Sequence, residues 1–263
     1  TTILDAFKNA AGDKAEILYA RGCGFADGGN DWQKRNYVYD KGPDFKLRPG
    51  TEAESDEAVR IASEADVVVA FFGEHEMESG ESSSRTELSM APAQRELLKR
   101  LLATGKPVVL VYFIGRPVVL DWESENVPAI LNAWFPGSEA GDALADIIFG
   151  DVNPSGKLTT SFPRNVGQIP LHYDELPTGR PNNNGDRFAK FTSSYIDGPN
   201  SPLYPFGYGL SYTTFEYSPM RLSSDRMTED GKITLTVNVR NTGERDGDEI
   251  VQLYIRDLVG SIS

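Results

Sequence analysis

Four glutamates, Glu74, Glu76, Glu78 and Glu81, crowd one stretch of the chain just ahead of Arg85, in GEHEMESGESSSR. A carboxyl group on a loop that closes over a ligand suits general acid catalysis, in which a positioned donor protonates the reacting atom. Glu81 lies among glycine and serines and fits that description by context. Glu74 follows Gly73 directly after an apolar run and is better placed to fix the loop by hydrogen bonds. The plain alternative is a solvated acidic loop, since most loop carboxylates are only hydrated. Arg85 has two chemical uses, pairing with a carboxylate or donating to a substrate hydroxyl, set against a surface ion pair worth little.

Other chemistries have less support. His75 beside acids is a thin signal for a metal site or a triad, and His172 is far along the chain. Ser82, Ser83 and Ser84 lack the G-x-S-x-G turn of a serine nucleophile. Neither G-x-x-x-x-G-K-[ST] nor G-x-G-x-x-G occurs, so nucleotide binding has no motif behind it. Residues Asp27 to Asp31 match a calcium loop in composition but not in spacing.

A loop is aimed by what flanks it. Val67 to Phe72 is a continuous apolar run, and Val108 to Phe113 and Ala129 to Phe135 are two more. Helical spacing is expected over Thr2 to Ala11, Glu54 to Ala65, Gln94 to Ala103 and Glu139 to Phe149, with a short strand over Ala15 to Ala20. Thr104-Gly105-Lys106-Pro107 reads as a helix stop and a strand entry. Continuous apolar strands alternating with amphipathic helices predict an α/β fold, a mostly parallel sheet sandwiched by helices. Gly22 to Gly50 reads as a polar, glycine-marked excursion. From Pro163 to Tyr212 the pattern dissolves into proline, glycine, asparagine and aromatics, an irregular connecting segment with an exposed turn at Pro181 to Asp186. From Phe215 the period changes to two, through Ile233, Leu235, Val237 and Val239, then a turn at Asn241 to Gly243 and a strand over Ile250 to Ile255. This is the start of an antiparallel β-sandwich.

The 263 residues are 39% hydrophobic and 25% charged, enough for one large domain or two ordinary ones. A net charge of −13 disfavours duplex DNA and anionic membranes as partners, and no apolar run approaches the length of a membrane span. Cys23 has no second cysteine to pair with and reads as a small buried hydrophobe. Both ends are expected to be cut. The first helix has no leading strand, and the β pattern stops after one more strand.

The blocks GEHEMESGESSSRTELSMAPAQ, GKPVVLVYFIGRPVVL, AILNAWFPGSEAGDALADIIFGDVNPSGKLTTSFPRNVGQIP and LYPFGYGLSYTTF resemble the second half of a glycoside hydrolase family 3 β-glucosidase. TGRPNNNGDRFAKFTSSYIDGPNSPLYPFGYGLSY is similar to the periplasmic bacterial type in particular. The resemblance implies residues 1–162 as an α/β sandwich domain lacking its opening part, 163–213 as a connecting segment, and 214–263 as a truncated fibronectin type III-like domain. It implies a retaining, exo-acting enzyme whose nucleophile aspartate lies in a Ser-Asp-Trp block of an N-terminal TIM-like barrel outside this chain.

In relatives the acid/base glutamate precedes an arginine by four positions. Glu81 stands in that relation to Arg85, although Ser82-Ser83-Ser84 replaces the usual Gly-x-Asp; Glu78 is the second choice. Asp121-Trp122 lacks the preceding serine of the barrel motif and is read as a helix-start residue capping amide groups. The resemblance further implies β-glucosides or oligosaccharides as substrates, the barrel as partner, no cofactor, no catalytic metal, and a periplasmic or secreted location. A homodimer is left open, and so is cover of the site by Leu176 to Asp197. The chain alone is expected to be inactive. The alternative is a non-catalytic carbohydrate-binding or protein-interaction module using the aromatics of Tyr195 to Tyr217.

Overall fold

The structure is a computed structural model that describes residues 1–24, 50–75, 78–175, 178–183 and 185–257. Its centre is a three-stranded parallel sheet in the order β1 (Val68–Gly73), β2 (Val108–Phe113), β3 (Ala129–Asn132). The register sets Gly73 opposite Phe113, so the ends of β1 and β2 open at the same level. Side chains alternate across the sheet. Ala70, Phe72, Leu110 and Tyr112 join a core with Ala58 and Ala62 of α2 (Glu52–Glu64) and Leu97, Leu98 and Leu101 of α3 (Pro92–Leu102). Phe71, Val109, Val111 and Phe113 face Ala6 and Phe7 of α1 (Ile3–Ala11) and Leu144 and Ala145 of α5 (Ala140–Phe149). Helices therefore cover both faces, and the predicted α/β sandwich holds.

Local signals place the helix ends. The Thr51 hydroxyl accepts from the Glu54 N–H while the Glu54 carboxylate accepts from the Thr51 N–H, a capping box that starts α2 two residues before the expected Glu54. Pro92 opens α3, and Gly105, at φ +76°, follows its end before β2. Asp121 starts α4 (Asp121–Asn126), as expected, but at its first helical position, with no side-chain cap bond. It lies 3.9 Å from Arg95 Nη2 instead. Within α4 the fully buried Glu123 takes two bonds from Arg95, at 2.7 and 3.0 Å, joining α4 to α3.

The buried side chain of Gln94 on α3 closes the end of β1. Its Oε1 accepts from the Gly73 N–H at 3.2 Å and its Nε2 donates to the Gly73 carbonyl at 2.8 Å. Gln94→Leu keeps the bulk and orphans both backbone groups. It should cost on the order of 2 kcal/mol, read as a lower midpoint in chemical denaturation; an unchanged midpoint would mean that water replaces the amide.

Two expected strands are corrected. Among the described residues Ala15 to Ala20 forms no ladder, with Leu18 and Tyr19 exposed. Ile250 to Ile255 is likewise unpaired, with Ile255 86% exposed. In both, strand-forming residues meet no neighbouring edge among the described residues, and strand propensity depends on one. The period-two run after Phe215 yields two antiparallel pairs. β4 (Phe215–Tyr217) pairs with β7 (Val239–Asn241), and β5 (Arg221–Leu222) pairs with β6 (Leu235–Thr236).

The connecting segment has little regular structure but many tethers. Phe162 N–H donates to the Tyr204 carbonyl and Leu203 N–H to the Phe162 carbonyl, both at 2.8 Å. Buried Gln168 accepts from the Arg164 N–H and donates to the carbonyls of Pro199 and Ser201. The Asn-rich turn is exposed at Pro181, Asn183, Gly185 and Asp186. Cys23, partly buried, packs on the α2–α3 side of the core, in keeping with its reading as a small hydrophobe. Most of the Gly22 to Gly50 excursion, including Asp27 to Asp31, lies outside the described residues, as do Glu76 and Leu176.

Candidate active site

Glu74 is the first residue beyond β1, and its N–H still donates to the Phe113 carbonyl at 2.8 Å, adding one rung to the β1–β2 ladder. That rung directs its side chain into the gap between two loops. One carboxylate oxygen accepts from Arg85 Nη1 at 2.6 Å and lies 3.5 Å from Arg116 Nε; the other accepts from the Gly115 N–H at 3.2 Å. The Glu74 side chain is 2% exposed, those of Arg85 and Arg116 17% and 20%. A buried carboxylate needs such partners to remain charged. Arg85 is thus not the exposed surface pair that its position in a polar loop allowed. Its Nη2 also donates to the Ser89 carbonyl at 3.2 Å, so it ties the far foot of the loop to the sheet.

Arg116, from the turn after β2, reaches into the same loop. Its Nη2 donates to the carbonyls of Glu78 and of Ser83, the latter at 2.8 Å. Packing there is close: a Cβ on Gly115 would lie 1.9 Å from Ser79 Oγ and 2.6 Å from Phe135 Cε2. Only glycine fits between the loop and the segment that follows β3. Burial pushes the phenol of Tyr112, below this cluster, well above its ordinary pKa, with the Glu74 charge adding to the effect.

The candidate glutamates separate by environment. Glu74 is held by two arginines. Half-buried Glu78 accepts from the His75 N–H at 3.0 Å. Glu81 sits exposed at the apex, between Gly80 at φ +107° and Ser82 at φ +59°. Among the described residues its carboxylate takes part in no hydrogen bond or ion pair, while its carbonyl accepts from Ser83 Oγ at 3.3 Å. The arrangement is one carboxyl carried outward on a loop whose feet are fixed. Arg85, four residues on, is turned inward to Glu74 and away from that duty.

Sequence reasoning missed Arg116, Gln94 and Phe135. Arg116 had only a weak local signal, a Gly-Arg pair at the end of the apolar run that begins at Val108.

Comparison with known proteins gives a consistent set. The model of the glycosyl hydrolase family 3 C-terminal domain matches residues 1–212. The periplasmic β-glucosidase of Salmonella typhimurium is 49% identical over 263 residues, covering 100% of this chain and 34% of that protein. A β-xylosidase of Formosa agariphila is 38% identical over 261 residues, covering 99% and 32%. Among solved structures, a β-glucosidase from Erythrobacter marinus superposes with a TM-score of 0.78 at 39% identity, covering 98% of this chain and 34% of that one. The Listeria innocua β-glucosidase in complex with glucose gives 0.73 at 38% identity, covering 83% and 30%. The chain spans about a third of the length of these relatives.

Proposed function

Because the chain belongs to glycosyl hydrolase family 3, we propose that it is the acid/base-bearing portion of a retaining, exo-acting β-glucosidase. The complete protein removes terminal non-reducing β-D-glucosyl residues. Glu81 protonates the leaving oxygen as the nucleophile, an aspartate of an N-terminal barrel outside this chain, attacks the anomeric carbon. Glu81 then takes the proton of the water that releases the glycosyl-enzyme. The two carboxyls must come within about 5–5.5 Å, so the loop apex has to meet the barrel. The observation that carries this reading is the Glu81 carboxylate, without a partner among the described residues, beside the engaged carboxylates of Glu74 and Glu78. Arg85 supports the loop through Glu74 and does not bind substrate.

In this reading residues 1–162 form the α/β sandwich domain, 163–213 the connecting segment and 214–263 the start of a fibronectin type III-like domain. The protein is periplasmic or secreted, as the name of its Salmonella relative suggests. Two carboxyls suffice for the chemistry, so no cofactor enters, and this chain alone is inactive for want of the nucleophile.

A second reading, a carbohydrate-binding surface, has one observation in its favour. Tyr173 stacks on Phe206 at 4.4 Å beside Tyr254, and Phe206, Tyr254, Glu249 and Gln252 line a cavity of about 320 Å³. One assay separates the two. The complete protein should turn over p-nitrophenyl β-D-glucoside and release β-glucose first, seen by proton NMR before mutarotation. α-Glucose first overturns retention, and binding without turnover favours the second reading.

A further inference from the structure

We propose that Arg116 is a positioning residue that sets where the loop presents the Glu81 carboxyl, an inference that rests on Glu81 being the acid/base. The loop's own bonds among the described residues include Glu78 N–H to the His75 carbonyl at 2.9 Å, His75 N–H to the Glu78 carboxylate at 3.0 Å, Ser83 N–H to the Gly80 carbonyl at 3.3 Å, and the Ser83 hydroxyl to the Glu81 carbonyl. Arg116 adds a link between the two sides of the turn. A single nitrogen, Nη2, donates to the carbonyls of both Glu78 and Ser83. Those two carbonyls bracket the Gly80-Glu81-Ser82 apex, so the guanidinium draws the ends of the turn together and leaves Glu81 facing outward.

Arg116 is itself aimed from below. It lies three residues beyond the end of β2, its Nε is buried and lies 3.5 Å from Glu74, and Glu74 is fixed by the Gly115 N–H and by Arg85. The chain of contacts runs from the sheet edge through Glu74 and Arg116 to the two carbonyls, and none of it touches the Glu81 carboxylate. Arg116 therefore controls proton transfer through geometry alone. A lysine retains the charge but not the planar fork that keeps Nη2 on both carbonyls while Nε faces Glu74. Displacing a reacting group by about 1 Å costs on the order of 100-fold in rate.

The test uses the complete enzyme with Arg116→Ala, Arg116→Lys and Glu81→Ala, assayed on phenyl and on 2,4-dinitrophenyl β-D-glucoside. Dinitrophenolate leaves without a proton, so a misplaced acid matters only for the phenyl substrate. Arg116→Ala should lose on the order of 100-fold in kcat/KM on the phenyl glucoside and far less on the dinitrophenyl glucoside. Arg116→Lys should show the same bias more weakly, and it decides the matter if the alanine variant does not fold. Equal losses on both substrates, or none, overturn the proposal. If Glu81→Ala itself shows no such bias, it is the acid/base reading that has failed, and the role of Arg116 falls with it.

Discussion

Replacing Glu81 with alanine in the complete enzyme should lower kcat/KM for phenyl β-D-glucoside by about 10²- to 10⁴-fold, the usual contribution of a positioned general acid. The effect should nearly vanish for 2,4-dinitrophenyl β-D-glucoside, whose departure needs no proton. With that substrate the slow step moves to release of the glycosyl-enzyme, because the same residue acts as base on the incoming water. The basic limb of the pH profile of kcat/KM, which reports loss of the acid's proton, should disappear in the variant. Stability should hardly change, since Glu81 is exposed and its carboxylate has no partner among the described residues. A loss of activity accompanied by a lowered melting temperature would instead mark Glu81 as part of the scaffold.

Glu74→Ala should have the opposite profile, with stability lost first. The substitution leaves Arg85 and Arg116 facing an emptied buried site and orphans the Gly115 N–H. Removing one member of a buried charge cluster costs about 3–5 kcal/mol, mainly because the remaining charges stay desolvated without a partner. For a unit of this size that corresponds to a fall in melting temperature on the order of 10 °C, read by calorimetry on the complete enzyme. Glu74→Gln retains an acceptor and should fall between the two. In kcat/KM the loss should again be larger on the phenyl than on the 2,4-dinitrophenyl glucoside, because both feet of the loop that carries Glu81 are released. A melting temperature within about 2 °C of the parent would show that water satisfies the arginines and that the cluster is not the anchor described.

The fold was readable wherever burial on two faces forces a pattern. Val108 to Phe113 is apolar throughout because both α1–α5 and α2–α3 pack on it, and its bounds agree with the structure. Leu97, Leu98 and Leu101 revealed the inner face of α3 for the same reason. Ala15 to Ala20 has the composition of a strand, but no edge meets it among the described residues, and an edge is a property of the whole sheet. The spacing to Arg85, read by resemblance, singled out Glu81 among the four glutamates. In the structure the two diverge, Arg85 inward to Glu74 and Glu81 outward. The third member of the cluster, Arg116, is brought in by the parallel register of β1 and β2, and no local spacing encodes that. Local context and the resemblance single out Glu81 as the candidate; long-range pairing supplies the parts that hold its loop.

Azide is the most direct probe of the central claim, because a small anion attacks the glycosyl-enzyme without needing a base. Glu81→Ala and Glu78→Ala variants of the complete enzyme should be compared on 2,4-dinitrophenyl β-D-glucoside with and without azide. Azide should accelerate only the Glu81 variant, and the product should be β-glucosyl azide. Acceleration of the Glu78 variant alone, with Glu81→Ala turning over as the parent does, would contradict it and move the acid/base role to Glu78.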